Sequence, residues 1–331
     1  MSTDQTSAIL EVLNTALGPI ADIMDDKSVT EVMVNADGRV WVERRGEITD
    51  SGKVMTETNR VHVLSAIAKL GGKYAKERTN SALVGASIDG YRYAGTLKPV
   101  DPRGSTLSIR KHADPSARLT MDQLVDSGSI TRKWADYLVD QIIHKQRNCI
   151  FIGRTSSGKT TLANAILAQL PDTERVVTIE DAKELAVMVP NRNEYMINTA
   201  EGIAAQDLIR EALRERYDRL IVGETRGFDT FDLIRGFNSG HPGSISTAHG
   251  DSCRDGLYAL EMMYQMSIPP GAQIPVAVSR QYIANAIKLL VFCHRYYVTE
   301  QDGVRRSVRK VQEIVNLNGV KDGQYDLENY E

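Results

Sequence analysis

Apolar residues recur at helical spacing near the start of this chain, where Ile9, Leu10, Leu13, Leu17, Ile20 and Ile23 mark an amphipathic first helix interrupted near Gly18-Pro19. Two runs of strand character follow, Thr30-Glu31-Val32-Met33-Val34 and Val40-Trp41-Val42-Glu43. The intervening Asn35-Ala36-Asp37-Gly38 predicts a hairpin. Helical spacing returns over about 60–70 through Val63, Leu64, Ile67 and Ala68. Strand-like stretches over 86–95 and 106–110, with Asp89-Gly90 as a turn, complete a small α+β domain over 1–112.

A polar, proline-containing linker is expected over 113–121, with Thr120 and Gln123 forming a capping box that opens a larger domain over 122–331. Its pattern differs. After a helix over 131–145, apolar runs at 149–152, 175–180, 194–198, 219–224 and 244–249 alternate with helical patterns such as Ala205, Leu208, Ile209, Ala212 and Leu213. Continuous apolar strands between amphipathic helices indicate a mainly parallel sheet covered on both faces, an α/β fold. Such sheets bind ligands at the carboxyl ends of their strands. The segments 289–293 and 308–315, joined through Asp302-Gly303, predict a closing strand pair. Met262, Met263 and Met266 are expected in core or interface packing, and Arg305, Arg306, Arg309 and Lys310 on a solvated face.

Composition narrows the classes. A chain of 331 residues accommodates two domains with separate cores. Its net charge of -3 and lack of an aromatic-basic stripe speak against direct nucleic-acid binding and against a nucleic-acid motor such as a helicase. Three scattered cysteines, Cys149, Cys253 and Cys293, form neither a disulfide framework nor a cysteine zinc site, which fits a reducing, cytoplasmic setting. The amino terminus has no secretory-signal pattern, and no run of about 20 consecutive apolar residues appears, so a soluble or peripheral protein is expected.

The chemistry centres on residues 148–170. An apolar strand breaks at Gly153 and reaches Gly158-Lys159-Thr160-Thr161 at the head of a helix, satisfying G-x-x-x-x-G-K-[ST]. Loop and helix N–H groups there converge on an anion, and Lys159 adds positive charge. Nucleotide triphosphate binding is the reading. Two apolar strands end in carboxylates, Glu180-Asp181 and Glu224, suited to holding Mg²⁺ through water or orienting an attacking water. His241 and His249 flank a further strand. Three roles stand open for them: structural hydrogen bonding, sensing a γ-phosphate, or donating to a strand-end carboxylate.

Taken together, Gly153-Arg-Thr-Ser-Ser-Gly-Lys-Thr-Thr, Thr178-Ile-Glu-Asp, Ile221-Val-Gly-Glu-Thr-Arg-Gly and Asn238-Ser-Gly-His-Pro-Gly-Ser-Ile-Ser-Thr-Ala-His resemble, in order, the Walker A, Asp box, Walker B and His box of secretion and pilus traffic ATPases. Ser28-Val-Thr-Glu-Val-Met-Val-Asn, Val40-Trp-Val-Glu-Arg-Arg-Gly and Leu107-Ser-Ile-Arg-Lys resemble the amino-terminal domain of the type IV secretion branch, most of all conjugal-transfer TrbB-type ATPases. The likeness covers about 8–315.

The resemblance implies a carboxyl-terminal RecA-like P-loop NTPase domain beside the smaller α+β one, using ATP and Mg²⁺. It implies that Gly153, Arg154, Thr155, Ser156, Ser157, Gly158, Lys159, Thr160 and Thr161 bind nucleotide, with Lys159 on the β- and γ-phosphates and Thr160 on the metal. Glu224 would take the Walker B place beside Mg²⁺, Glu180 would help activate water, and His241 and His249 would lie near the γ-phosphate. Arg92 and Arg110 resemble arginines brought to the nucleotide from the amino-terminal domain. A homohexameric ring, peripheral to the cytoplasmic face of the inner membrane and docked on components of a secretion apparatus, is the implied assembly. Retractile-pilus and tight-adherence motors share these motifs, and a non-catalytic nucleotide switch shares the loop.

Two departures stand out. Ser156 occupies a place where the family has glycine, and Gly223 precedes Glu224 where a general Walker B has aspartate.

Overall fold

The computed structural model describes residues 3–44, 46–71, 82–88, 90–111, 118–198, 201–269, 271–272, 274–299 and 305–331. They fall into two units, Met1–Asp114 with Ala200–Gly202 and Val298–Ser307, and Pro115–Thr199 with Ile203–Tyr297 and Val308–Glu331. Positions 113–117 of the expected linker, Asp89 and the Asp302-Gly303 turn lie outside the described residues.

In the first unit, strands β1 (Val29–Val34), β2 (Arg39–Arg44), β3 (Glu47–Val54), β4 (Leu83–Ile88), β5 (Tyr91–Thr96) and β6 (Thr106–Lys111) form an antiparallel sheet in the order β3-β2-β1-β6-β5-β4. The predicted hairpin is β1–β2, with Val34 opposite Val40 and Gly38 at a φ of 89° in the turn. The helix Glu57–Leu70 starts at Thr56, whose hydroxyl accepts from the Asn59 N–H, and buries Val63, Leu64 and Ile67 on the sheet. Leu13, Leu17, Ile20 and Ile23 join the same core. Strand β3 had no sequence signal because it is an edge whose residues are almost all exposed, so no period-2 burial is written into it.

One expectation needs correcting. The helical stretch Gln5–Asp25, 21 residues, is long and apolar enough to cross a bilayer by length and composition. Scanning for uninterrupted apolar runs misses it because Thr, Ser, Asn and Gly are interspersed. Here its apolar residues join the core of the first unit, chiefly against the helix Glu57–Leu70.

The second unit is built on β7 (Cys149–Ile152), β8 (Val176–Glu180), β9 (Arg192–Met196), β10 (Arg219–Val222), β11 (Ile245–Ala248), β12 (Leu289–Thr299), β13 (Arg305–Lys321) and β14 (Gln324–Asn329), ordered β14-β13-β12-β7-β11-β10-β8-β9. Strands β12, β7, β11, β10, β8 and β9 run parallel, and β13–β14 is an antiparallel hairpin. Alternate residues face two different cores: Ile150, Ile152, Val177, Ile179, Leu220 and Val222 lie in one, Cys149, Phe151, Val176 and Ile221 in the other. Burial on both faces is why these strands read as unbroken apolar runs. Truncating Phe151 to alanine would cost about 3–5 kcal/mol. The capping box at Thr120 and Gln123 is present. Met263 packs on the core, whereas Met262 and Met266 are exposed at 61% and 65%.

Candidate active site

Strand β7 delivers the chain to Gly153, whose positive φ of 154° suits glycine and whose missing side chain admits the Cys293 carbonyl from β12. A Cβ there would stand 2.2 Å from that oxygen and 2.5 Å from the Ser157 hydroxyl. The loop turns again at Gly158, at φ 97°, directly before the helix Lys159–Leu167. Lys159 is buried, and its Nζ donates to the Gly153 carbonyl at 2.6 Å and the Arg154 carbonyl at 3.2 Å. Burial lowers its pKa below the usual lysine range, against the opposing field of Glu224. Arg154 forms a two-pronged pair with Asp251, at 2.6 and 2.9 Å, on the outer side of the loop.

The carboxyl ends of β8, β10 and β11 stand side by side, because Val222 pairs with Ile179 and with Ser246. His249, just past β11, places Nε2 2.5 Å from Glu224 Oε1, just past β10. The other Glu224 oxygen accepts from Arg226 Nε at 2.6 Å, and Arg226 Nη1 reaches Asp181 at 2.9 Å. Asp229 shapes this loop by accepting from the Thr225 hydroxyl and the Gly227 N–H. Glu224 is thus oriented by one histidine and one arginine.

Residues 90–315 match the Type II/IV secretion system protein family. The chain belongs to that family. Over 311 residues it is 30% identical to the conjugal transfer protein TrbB of Rhizobium radiobacter, covering 93% of this chain and 89% of that protein. It is 26% identical over 331 residues to the type IV secretion system protein VirB11 of Bartonella henselae, covering 88% and 91% respectively. The fold matches the Yersinia pseudotuberculosis ATPase DotB with a TM-score of 0.59 at 17% identity, over 92% of this chain and 78% of that one.

Within this family member two neighbouring glutamates, Glu180 and Glu184, face different ways. Glu180 is buried, and its Oε1 accepts the Glu184 and Leu185 N–H groups at 2.9 and 2.7 Å. Burial pushes its carboxyl up to about 7 despite those two bonds. Glu184 is the carboxylate turned to the phosphate loop, where its Oε2 accepts from the Thr160 hydroxyl at 3.3 Å. Glu184 carried no sequence signal of its own, since it lies in the irregular segment after β8. The glycine before Glu224 also finds its reason here, since a Cβ on Gly223 would lie 3.2 Å from Glu180 Cγ.

The histidines separate. His241 lies before β11, buried, with Nδ1 donating to the Tyr217 carbonyl at 2.8 Å, at the amino ends of β10 and β11. It belongs to a structural corner with Arg219, which is fully buried and donates to the Ile142, Ile143 and Gly243 carbonyls and to Glu174. The four residues of β11, at about 3.3 Å each, span roughly 13 Å. One histidine therefore sits beyond each end of β11, and His249 is the one brought to the carboxylates. Arg92 and Arg110 are in the first unit, directly opposite each other across β5–β6, with Arg110 Nη2 3.6 Å from Glu31.

The donors present fit a nucleotide and a divalent metal. The Ser157 hydroxyl is buried in the loop and has no hydrogen-bond partner among the described residues. The Thr160 hydroxyl is a hard oxygen donor at the head of the helix, and Glu184 lies beside it. Among the described residues no group of three or more His, Cys, Asp or Glu side chains forms a metal cage.

Proposed function

We propose that this protein hydrolyses ATP to power a type IV secretion or conjugal transfer apparatus. The observation that carries this reading is the gathering of Lys159, Thr160, Glu184, Glu224 and His249 at one edge of a parallel sheet around a phosphate loop. Family membership supports it.

Lys159, released from the loop carbonyls, neutralises the β- and γ-phosphates, while Gly153–Thr161 main-chain N–H groups cradle them. Thr160, with Glu224 through water, would hold Mg²⁺, which would supply neutralisation of the phosphate charge. Glu184 takes the proton of the attacking water as oxygen bonds to the γ-phosphorus and the bond to the β–γ bridging oxygen breaks, leaving ADP and phosphate. His249 and Arg226 keep Glu224 in place, and Glu180 keeps the Glu184 segment in place. Arg92 and Arg110 add positive charge when nucleotide draws the two domains together, and release on hydrolysis is the working stroke. A homohexamer, peripheral to the inner membrane on its cytoplasmic side, converts that stroke into pilus assembly or substrate transfer.

The decisive test is phosphate release by the purified chain with ATP and Mg²⁺. Lys159→Ala is expected to abolish it, and near-normal turnover in that variant would refute the assigned site.

A further inference from the structure

Residues 154–157 form a tight turn closed by the Ser157 N–H donating to the Arg154 carbonyl at 3.2 Å. Ser156 is its third residue, at a φ of 59°. That is the left-handed region, ordinary for glycine and strained for a residue with a Cβ. The restraint comes from the far end of the chain. Arg309, on β13, donates from Nε to the Ser156 carbonyl at 2.9 Å. Its Cδ and Cβ also lie 3.8 and 3.9 Å from where a Cβ on Gly158 would stand, so the aliphatic stem covers the second turn of the loop. The peptide plane between Ser156 and Ser157 is held at both ends, its carbonyl by Arg309 and its N–H by Arg154. A trans peptide points those groups in opposite directions, so the two bonds together fix the plane's orientation.

We propose that Arg309 is a positioning residue of the phosphate site, locking the strained Ser156 peptide so that the loop is preformed for ATP. A guanidinium bond to a main-chain oxygen is charge-assisted and stronger than a neutral one, which suits it to hold a strained turn. Strand β13 and the loop then behave as one piece. A glycine at 156 would need no such lock, and the arginine and the serine are a matched pair. This inference rests on reading 153–160 as the nucleotide site.

The test is a double-mutant cycle on the full chain, measuring the Kd of a fluorescent ATP analogue together with kcat and KM. Arg309→Met keeps the stem over Gly158 and removes the donor; it is expected to raise Kd and KM about tenfold, with kcat changed about threefold or less. In the Ser156→Gly background the same change should cost about twofold or less, because the strain it restrained is gone. Equal losses in both backgrounds would overturn the proposal. So would full rescue by Arg309→Lys, which keeps the charge and loses the Nε geometry, since that would assign Arg309 to charge attraction alone. Should Arg309→Met fail to fold by circular dichroism, Arg309→Lys carries the cycle, with loss in the serine background and recovery in the glycine one expected. Absence of analogue binding by the unaltered chain, or undiminished binding by Lys159→Ala, would count against the nucleotide site itself, a result distinct from equal losses in the cycle.

Discussion

The Thr160 hydroxyl donates to Glu184 at 3.3 Å, joining the first turn of the helix after the phosphate loop to the segment after β8. The head of that helix is thereby tied to a carboxylate, while Glu180, four residues earlier, faces main-chain N–H groups.

Glu184→Gln is therefore expected to lower kcat about a hundredfold while leaving ATP binding within a few-fold, as loss of a general base does. Glu180→Gln should lower kcat less, since its amide oxygen still accepts an N–H. Steady-state kinetics beside equilibrium binding checks both, and the opposite ranking would reassign the base to Glu180.

The histidines make a second contrast. His249→Ala removes the 2.5 Å contact to Glu224 and is expected to cut kcat tenfold or more, an estimate of about 1.4 kcal/mol or above in transition-state stabilisation. His241→Ala should leave kcat within about twofold but cost roughly 1–2 kcal/mol of stability, the loss of one buried hydrogen bond. Thermal melts and phosphate-release rates on the two variants separate these outcomes.

Stability carries a pH signature from Glu180. Its carboxyl is raised by burial from 4.5 to about 7 in the folded chain, so between those values the folded state keeps a proton that the unfolded state has lost. The associated stability is fully present below about pH 4.5 and is lost as pH rises through about 7. Relative to Glu180→Gln, the unaltered chain should lose on the order of 3 kcal/mol across that window, measured by denaturant unfolding without nucleotide or Mg²⁺. A pH-independent difference would show the carboxylate to be ionised throughout.

Arg92→Ala and Arg110→Ala are expected to lower turnover more than folding stability. The 3.6 Å pair of Arg110 with Glu31 is partly exposed and is worth no more than about 1 kcal/mol. Turnover near that of the unaltered chain in both variants would remove these arginines from the mechanism.

Much of the site was legible in one dimension because its parts are local. The strand Cys149–Ile152, the glycines at 153 and 158 and the helix from Lys159 are contiguous, so steric freedom, apolar run and helix start are all written in neighbouring residues. The same holds for the α/β alternation and for carboxylates that end buried strands. Partnership was not legible. That His249 meets Glu224 depends on β11 lying beside β10, and that His241 does not follow it depends on the length of a four-residue strand separating the two edges. Gly223 sits tightly against Glu180 on a neighbouring strand, and Ser156 is held by a residue about 150 positions away. Chain order specifies which groups are available; strand order and register, set by burying two faces of one sheet, decide which of them touch.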